Sequence, residues 1–261
     1  LFRARYGEIW VGTRYGVVRI AEDSWVQFTG SSEQTHFSGT IMYADGETSP
    51  LTVDTQGNMC QFRDEAWEIL SPLYIPGTEN RVENSIYYMH KGEKDALWML
   101  GNNGIYAYSI AEKKVIRALK SPQGARLEQL QVTVSGRVIL SGRNGIFELV
   151  EDAWVPLNLT LPSEDFQCQS VVIDKNEKIF LGGAYLIQRY QLEGSGKVTL
   201  EQEYPIESLA RTGGLSSEGQ PIIGSEGVGI LLIDDSGVQR EIAFDDSLSK
   251  RPAGVYQDGA G

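Results

Sequence analysis

Chemistry in this 261-residue chain would have to be built from two histidines, two cysteines and a surplus of carboxylates. His36 lies in a polar connection between Ser31 and Ser38, and His90 ends an apolar run after Tyr87-Tyr88-Met89. Neither belongs to a His-Glu-x-x-His pair, which would place two zinc ligands on one helix face. Both read as exposed or hydrogen-bonded side chains. Cys60 and Cys168 form no Cys-x-x-Cys motif and fall in distant parts of the chain, so they read as two buried free thiols. No Gly-x-Ser-x-Gly elbow and no Gly-x-x-x-x-Gly-Lys-Ser/Thr phosphate loop is present. Asp234-Asp235-Ser236-Gly237 and Asp245-Asp246-Ser247 are acidic but lack the alternating oxygen ligands of a calcium loop, and read as hairpin turns. No catalytic, cofactor-binding or metal-binding residue is assigned, and no cofactor is implied. A glycosidase would need two carboxyls at a fixed separation, which side chains from different repeats do not reveal in sequence. One group has the chemistry of a ligand site: Tyr87, Tyr88, His90 and Arg126, with Arg211 from another repeat. Rings and a guanidinium suit a sugar or an anion, but alternate members read better as buried packing residues, so the ligand-binding residues stay unassigned.

Charge narrows the partners. The formal net charge is −12, the wrong sign for a nucleic-acid groove or for an anionic membrane surface. No apolar run approaches the ~18 residues of a membrane helix, and no signal peptide is visible. The chain opens with Leu1 and so reads as a piece of a longer protein.

The elements that must position any site are written as a repeat. With Trp10 as anchor, the equivalent apolar positions are Leu51, Trp98, Ile139, Phe180 and Ile222, at intervals of 41, 47, 41, 41 and 42 residues. Gly16, Gly57, Gly104 and Gly145 follow their anchors by six residues, as turn glycines. All five tryptophans sit at two repeat positions, the anchor (Trp10, Trp98) and the start of a later run (Trp25, Trp67, Trp154), as plugs between sheets. Asp-Gly, Ser-Gly and Lys-Asn pairs between β-rich runs supply hairpin signals. Each period thus holds four short strands; in the fourth they span about 129–134, 137–142, 145–150 and 153–158. Small residues two places after the anchor (Gly12, Ser141, Gly182, Gly224) would let neighbouring sheets approach closely.

Four antiparallel strands in about 42 residues is the pattern of a β-propeller blade, because a sheet this short buries both faces only by stacking on copies of itself. The expected fold is all-β, with blades at about 1–29, 39–70, 84–119, 127–158, 168–203 and 208–244, and an extra inner strand at 253–258. Six blades plus the first strand of a seventh make the chain an arc of a larger ring, expected to have seven blades.

The run Gly7-Glu8-Ile9-Trp10-Val11-Gly12-Thr13, followed by Gly16-Val17-Val18-Arg19-Ile20, resembles the two-component regulator propeller repeat. Leu97-Trp98-Met99-Leu100-Gly101 and Val138-Ile139-Leu140-Ser141-Gly142, each with the strand after it, match less closely. The turn Ala4-Arg5-Tyr6-Gly7 lacks the family's Asp. The resemblance implies a non-catalytic, ligand-sensing propeller of a bacterial membrane receptor, on the periplasmic or extracellular side of the inner membrane. Such domains precede a small β-sandwich, a membrane helix and a histidine kinase or diguanylate cyclase. They commonly form homodimers and respond to small molecules or oligosaccharides. The matched residues build blades and name no ligand. A protein-interaction scaffold and a carbohydrate-active enzyme remain the alternatives.

Overall fold

A computed structural model describes residues 50–243 apart from short gaps at 64–65, 83–85, 93–94, 123–126, 143–144, 162–167, 195, 217–218, 227 and 235. Before residue 50 it describes the backbone of five strands, and side chains are described between Pro50 and Val238. The strand expected at 253–258, His36, Arg126 and the acidic turn at 245–247 lie outside the described residues.

The described elements are all strands, in antiparallel meanders. The chain divides into two compact units, Leu1–Pro122 and Gln123–Gly261. The first unit holds three four-stranded sheets. They are β1 to β4 (Phe2–Arg3, Ile9–Thr13, Gly16–Ala21, Ser24–Phe28), β5 to β8 (Met42–Tyr43, Leu51–Val53, Asn58–Arg63, Ala66–Pro72) and β9 to β12 (Ile86–Lys91, Ala96–Gly101, Gly104–Ser109, Lys114–Leu119). The second unit opens with β13 to β16 (Leu127–Val132, Val138–Gly142, Gly145–Val150, Ala153–Pro156). A seven-stranded sheet follows: β17 (Ser170–Ile173), β18 (Lys178–Gly182), β19 (Ala184–Leu192), β20 (Val198–Leu215), β21 (Pro221–Ser225), β22 (Gly229–Asp234) and β23 (Gly237–Ala243).

Burial follows from position in the sheet. The second and third strands of the third sheet, β10 and β11, are buried along nearly their whole length, whereas β12 alternates exposed and buried residues. A strand between two packed neighbours reads as continuous apolar sequence; one at the solvent edge must alternate. The fifth group of strands shows the two-residue period directly. Val171, Ile173, Ile179 and Leu181 face one core with Ile139 and Ile146, and Val172, Phe180 and Ile187 face another with Ile223, Leu231 and Ile233. In the first unit Leu51, Met59 and Leu73 share a core with Met89, Leu97, Met99 and Tyr108. The second and third sheets of the first unit therefore stack face to face, as do successive groups of strands in the second unit.

The close approach expected at Gly182 is present. A Cβ there would lie 2.6 Å from the Ala210 Cβ on the next group of strands and would also strike the Ser170 Oγ. Trp67 and Trp98 are buried as expected, while Trp154 is half-buried at the sheet edge. Cys60 and Cys168 are free thiols; Cys60 is buried, but Cys168 is only half-buried, because it precedes β17 instead of lying within a sheet.

The 18-residue β20 joins repeats five and six without a loop. Its first half pairs with β19 and its second half with β21, the exchange falling between Leu209↔Ala184 and Ala210↔Ser225. Pro205 sits near the exchange, opposite Leu186 and beside a register shift, where a missing N–H costs least.

Candidate functional site

Three of the first strands, β9, β13 and the second half of β20, share a local device. On β9, Tyr88 lies opposite Leu100 and Ile86 opposite Gly101, so Tyr87 is an extra, bulged residue. In the second unit Glu128 is bulged on β13 and Arg211 on β20, at the same places relative to their partner strands. A bulge inserts one extra residue opposite a single partner and re-aims its side chain, which is why bulges occur beside sites. Tyr87 and Arg211, singled out by residue type, are thus equivalent positions of one repeated feature, and Glu128 is the member that residue type did not reveal. The signal was present as apolar spacing of three, Ile86 to Met89 and Leu127 to Leu130, in place of the strand period of two.

Tyr88 and His90 are half-buried and fall on one face of β9. Burial pushes the Tyr88 hydroxyl up to about 12. Burial also holds the His90 imidazole below its ordinary value, against an opposing backbone hydrogen bond, so the ring is neutral at pH 7. Its Nδ1 is 2.7 Å from the Lys91 carbonyl oxygen and, facing an acceptor, carries the proton. Arg211 donates from Nε to the Glu226 carboxylate at 2.6 Å, an ion pair within its own sheet.

The second strip of polar side chains on a first strand has a structural task. Gln131 on β13 donates from Nε2 to the Val171 carbonyl oxygen at 2.6 Å and accepts from the Ile173 N–H at 2.9 Å. Gln129 accepts from the Val171 N–H at 3.2 Å. Two side-chain amides therefore satisfy the open edge of β17, which would otherwise expose unpaired backbone groups. Glu128 is close enough to Cys168 for its charge to add to burial in pushing that thiol up to about 12, so the thiol is protonated and not a reactive nucleophile.

A cavity of about 230 Å³ opens in the second unit where the β17–β18, β20–β21 and β22–β23 turns come to the same end of their strands. Phe180, Pro221 and Ile233 form its apolar wall; Asp174, Asp234, Lys175, Lys178 and Arg189 bring charge to it. The Asp174 Oδ1 accepts the Asn176 and Lys178 N–H groups, both at 2.8 Å, and so organises the turn. Asp234 Oδ1 does the same for Ser236 and Gly237, confirming the hairpin turn read there. Glu201 stands 3.3 Å from Lys178 Nζ and 3.0 Å from Arg189 Nε. Among the described residues no group of three or more His, Cys, Asp and Glu side chains is arranged to hold a metal ion.

No protein-family model and no curated protein sequence matches the chain. Solved structures do match it. The extracellular domain of BT4673, assigned to a hybrid two-component system of B. thetaiotaomicron, aligns over 97% of this chain and 34% of its own, at 15% identity and a TM-score of 0.69. That of BT3049 from the same organism aligns over 97% and 35%, at 14% identity and a TM-score of 0.70. Virginiamycin B lyase from Staphylococcus aureus aligns over 99% and 87%, at 11% identity and a TM-score of 0.71. The fold is propeller-like. The chain spans about a third of the length of the two-component structures it matches. At these identities the likeness is one of fold, and the fold is shared by extracellular domains of two-component systems and by a lyase. Among the described residues no helix is long and apolar enough to cross a membrane.

Proposed function

We propose that this chain is a ligand-sensing, non-catalytic propeller module of a bacterial signal-transduction receptor, exposed outside the cytoplasmic membrane. The observation that carries the reading is the near-complete alignment of the chain with part of two extracellular receptor domains. The repeat motifs around Trp10, Trp98 and Ile139 point the same way. In this reading the six sets of strands are blades of a seven-bladed ring, and the parent receptor works as a homodimer. Ligand binding signals only if the ligand binds one arrangement of domains or subunits better than another. The matched residues are sheet-building residues, so the ligand, a small molecule or an oligosaccharide, meets the turns and first strands.

The test is the gene product that carries this sequence. A β-sandwich, a membrane span and a kinase or cyclase in that product are expected. A full-length product with none of these would overturn the receptor reading and favour a protein-docking scaffold.

A further inference from the structure

We infer that the chain pairs with a second copy of itself through the outer strands of its second and third sheets, β8 of each copy against β12 of the other. This pairing goes beyond the receptor reading and stands without it, because both edges belong to the first unit of this chain.

β8 and β12 each end a four-stranded sheet. The two sheets share a core, and the Ser71 hydroxyl on β8 lies 3.1 Å from that of Tyr108 on β11. Each edge carries an exposed isoleucine at nearly the same level. Ile69, 51% exposed, lies opposite Cys60; Ile116, 46% exposed, is the bulged residue beside Arg117, which lies opposite Ala107. Cys60 and Ala107 each follow a turn glycine, Gly57 and Gly104, by three residues. One exposed isoleucine on a surface is ordinary; two at one level on the edges of stacked sheets form a repeated apolar feature.

Charge distinguishes the two edges. Residues 64–72 carry Asp64, Glu65 and Glu68 and no Lys or Arg, three excess negative charges. Residues 112–120 carry Lys113, Lys114, Arg117 and Lys120 against Glu112, three excess positive charges in a chain of net charge −12. The Lys114–Glu112 ion pair, at 2.6 Å, is more than half exposed on both sides, so it exchanges readily for an outside carboxylate. The Arg117 guanidinium lies 5.9 Å from the centre of the Trp98 ring. Lysines on an edge strand deter pairing with a like edge; against an acidic edge the same charges attract. A two-fold axis between the edges brings β8 to β12 twice, so one chain supplies both halves of a self-complementary contact. The bulges at Leu70 and Ile116 interrupt both edges. The contact is therefore made by side chains, with the isoleucines at its centre and the charges around them, and not by a continued backbone ladder. At physiological salt charges are screened beyond ~8 Å, which weakens the overall repulsion of the copies more than these close pairs.

Sedimentation equilibrium of the full chain at physiological salt tests this. The wild type should dimerise with a Kd of about 1 mM or tighter, and Glu68→Lys and Lys114→Glu should each weaken the dimer at least about tenfold. An equimolar mixture of these two variants should dimerise more tightly than either alone, because one contact of the mixed pair is native and the other has both charges reversed. Ile116→Asp should be monomeric, with the melting temperature of the dilute protein unchanged, since the side chain is already exposed in the single chain. A wild type that stays monomeric at about 1 mM would overturn the inference and leave β12 to an acidic partner of another kind. A dimer that the charge variants and Ile116→Asp leave unchanged, or a mixture no tighter than its components, would overturn it as well.

Discussion

The most consequential single residues in the second unit are those that tie one sheet to the next through charge. Arg137 on the β13–β14 turn binds Glu148 through two hydrogen bonds, of 2.6 and 2.9 Å, and also donates to the Glu193 and Gly194 carbonyl oxygens. Glu148 is 4% exposed and accepts the Gly196 N–H at 2.8 Å. Burial alone would raise its pKa, but the bonds from Arg137 and Gly196 outweigh it and hold the carboxyl below its ordinary value. Glu148→Ala should destabilise the protein by about 2–3 kcal/mol at pH 7, because it leaves Arg137 partly buried with only the more distant Glu177, 3.8 Å from its Nη1, as counter-charge. The sign with pH follows from linkage. A depressed carboxyl contributes stability above its unfolded value, near 4.5, and loses it as pH falls through the folded value. His90 acts earlier in the same direction: its lowered pKa means that acid must protonate a group the fold keeps neutral, so stability declines below about 6.5. Urea unfolding from pH 7 to pH 3 should show both losses in the wild type. His90→Gln should remove the first, and the gap between wild type and Glu148→Ala should close at the acid end; a gap that stays constant would refute the assignment. Glu177 poses a different test. It has a φ of 61° where the equivalent turns carry Gly57, Gly136 and Gly219, a conformation that costs a non-glycine residue about 1 kcal/mol. In return its carboxylate binds the Ser135 hydroxyl and backbone N–H of the neighbouring turn. Glu177→Gly should be nearly neutral in the wild type and stabilising in a Ser135→Ala background, as read by chemical denaturation of the four variants.

At the scale of the strand and sheet, the decisive quantity is how closely faces approach. Gly182 and Gly213 lie where an added Cβ would strike a neighbouring group of strands, at Ala210 and Val172 respectively. Gly194 has nothing within 4 Å of the same position. Gly182→Ala should therefore cost about 1–3 kcal/mol by overpacking, while Gly194→Ala should be neutral or slightly stabilising because it restricts the unfolded chain. Equal effects at both sites would show that the sheets yield freely. Much of this level could be read in the sequence. The spacing from Ile139 to Phe180 to Ile222 carried the repeat, and the small residue two places later marked the close approach at Gly182. Strand edges came out within two or three residues in the fourth repeat, because the Ser-Gly turn and the Gly145 hairpin bracket the runs. The continuity of β20 was hidden, since Tyr204–Glu207 has the polar, proline-containing look of a connection yet stays extended between two partners. The bulges were hidden for a related reason: one inserted residue shifts apolar spacing by one, which resembles noise unless several repeats are compared.

For the whole molecule, the acidic surface and the repeated scaffold set what kind of ligand recognition is feasible. A chain with net charge −12 repels polyanions, so association with nucleic acid should be undetectable at physiological salt. What the fold offers instead is repeated sheets whose turns and first strands vary from repeat to repeat: Tyr87, Glu128 and Arg211 at equivalent bulges, Asn58 and Lys178 at equivalent turn ends. Sequence variation on an invariant scaffold is how loops acquire specificity without loss of the core. Under the proposed sensing function the protein should be stabilised by its ligand, because a molecule that binds only the folded state raises stability with the logarithm of its concentration relative to its dissociation constant; at a hundredfold excess the gain is about 2.7 kcal/mol. A thermal-shift panel of oligosaccharides and small anions should therefore yield at least one compound whose rise in melting temperature grows with the logarithm of its concentration. If that compound acts at the first-strand surface, Tyr88→Ala and Arg211→Ala should reduce the rise. A flat response across the panel would count against ligand sensing and in favour of a protein-docking surface, since a scaffold's affinity resides in a partner that no small-molecule panel contains.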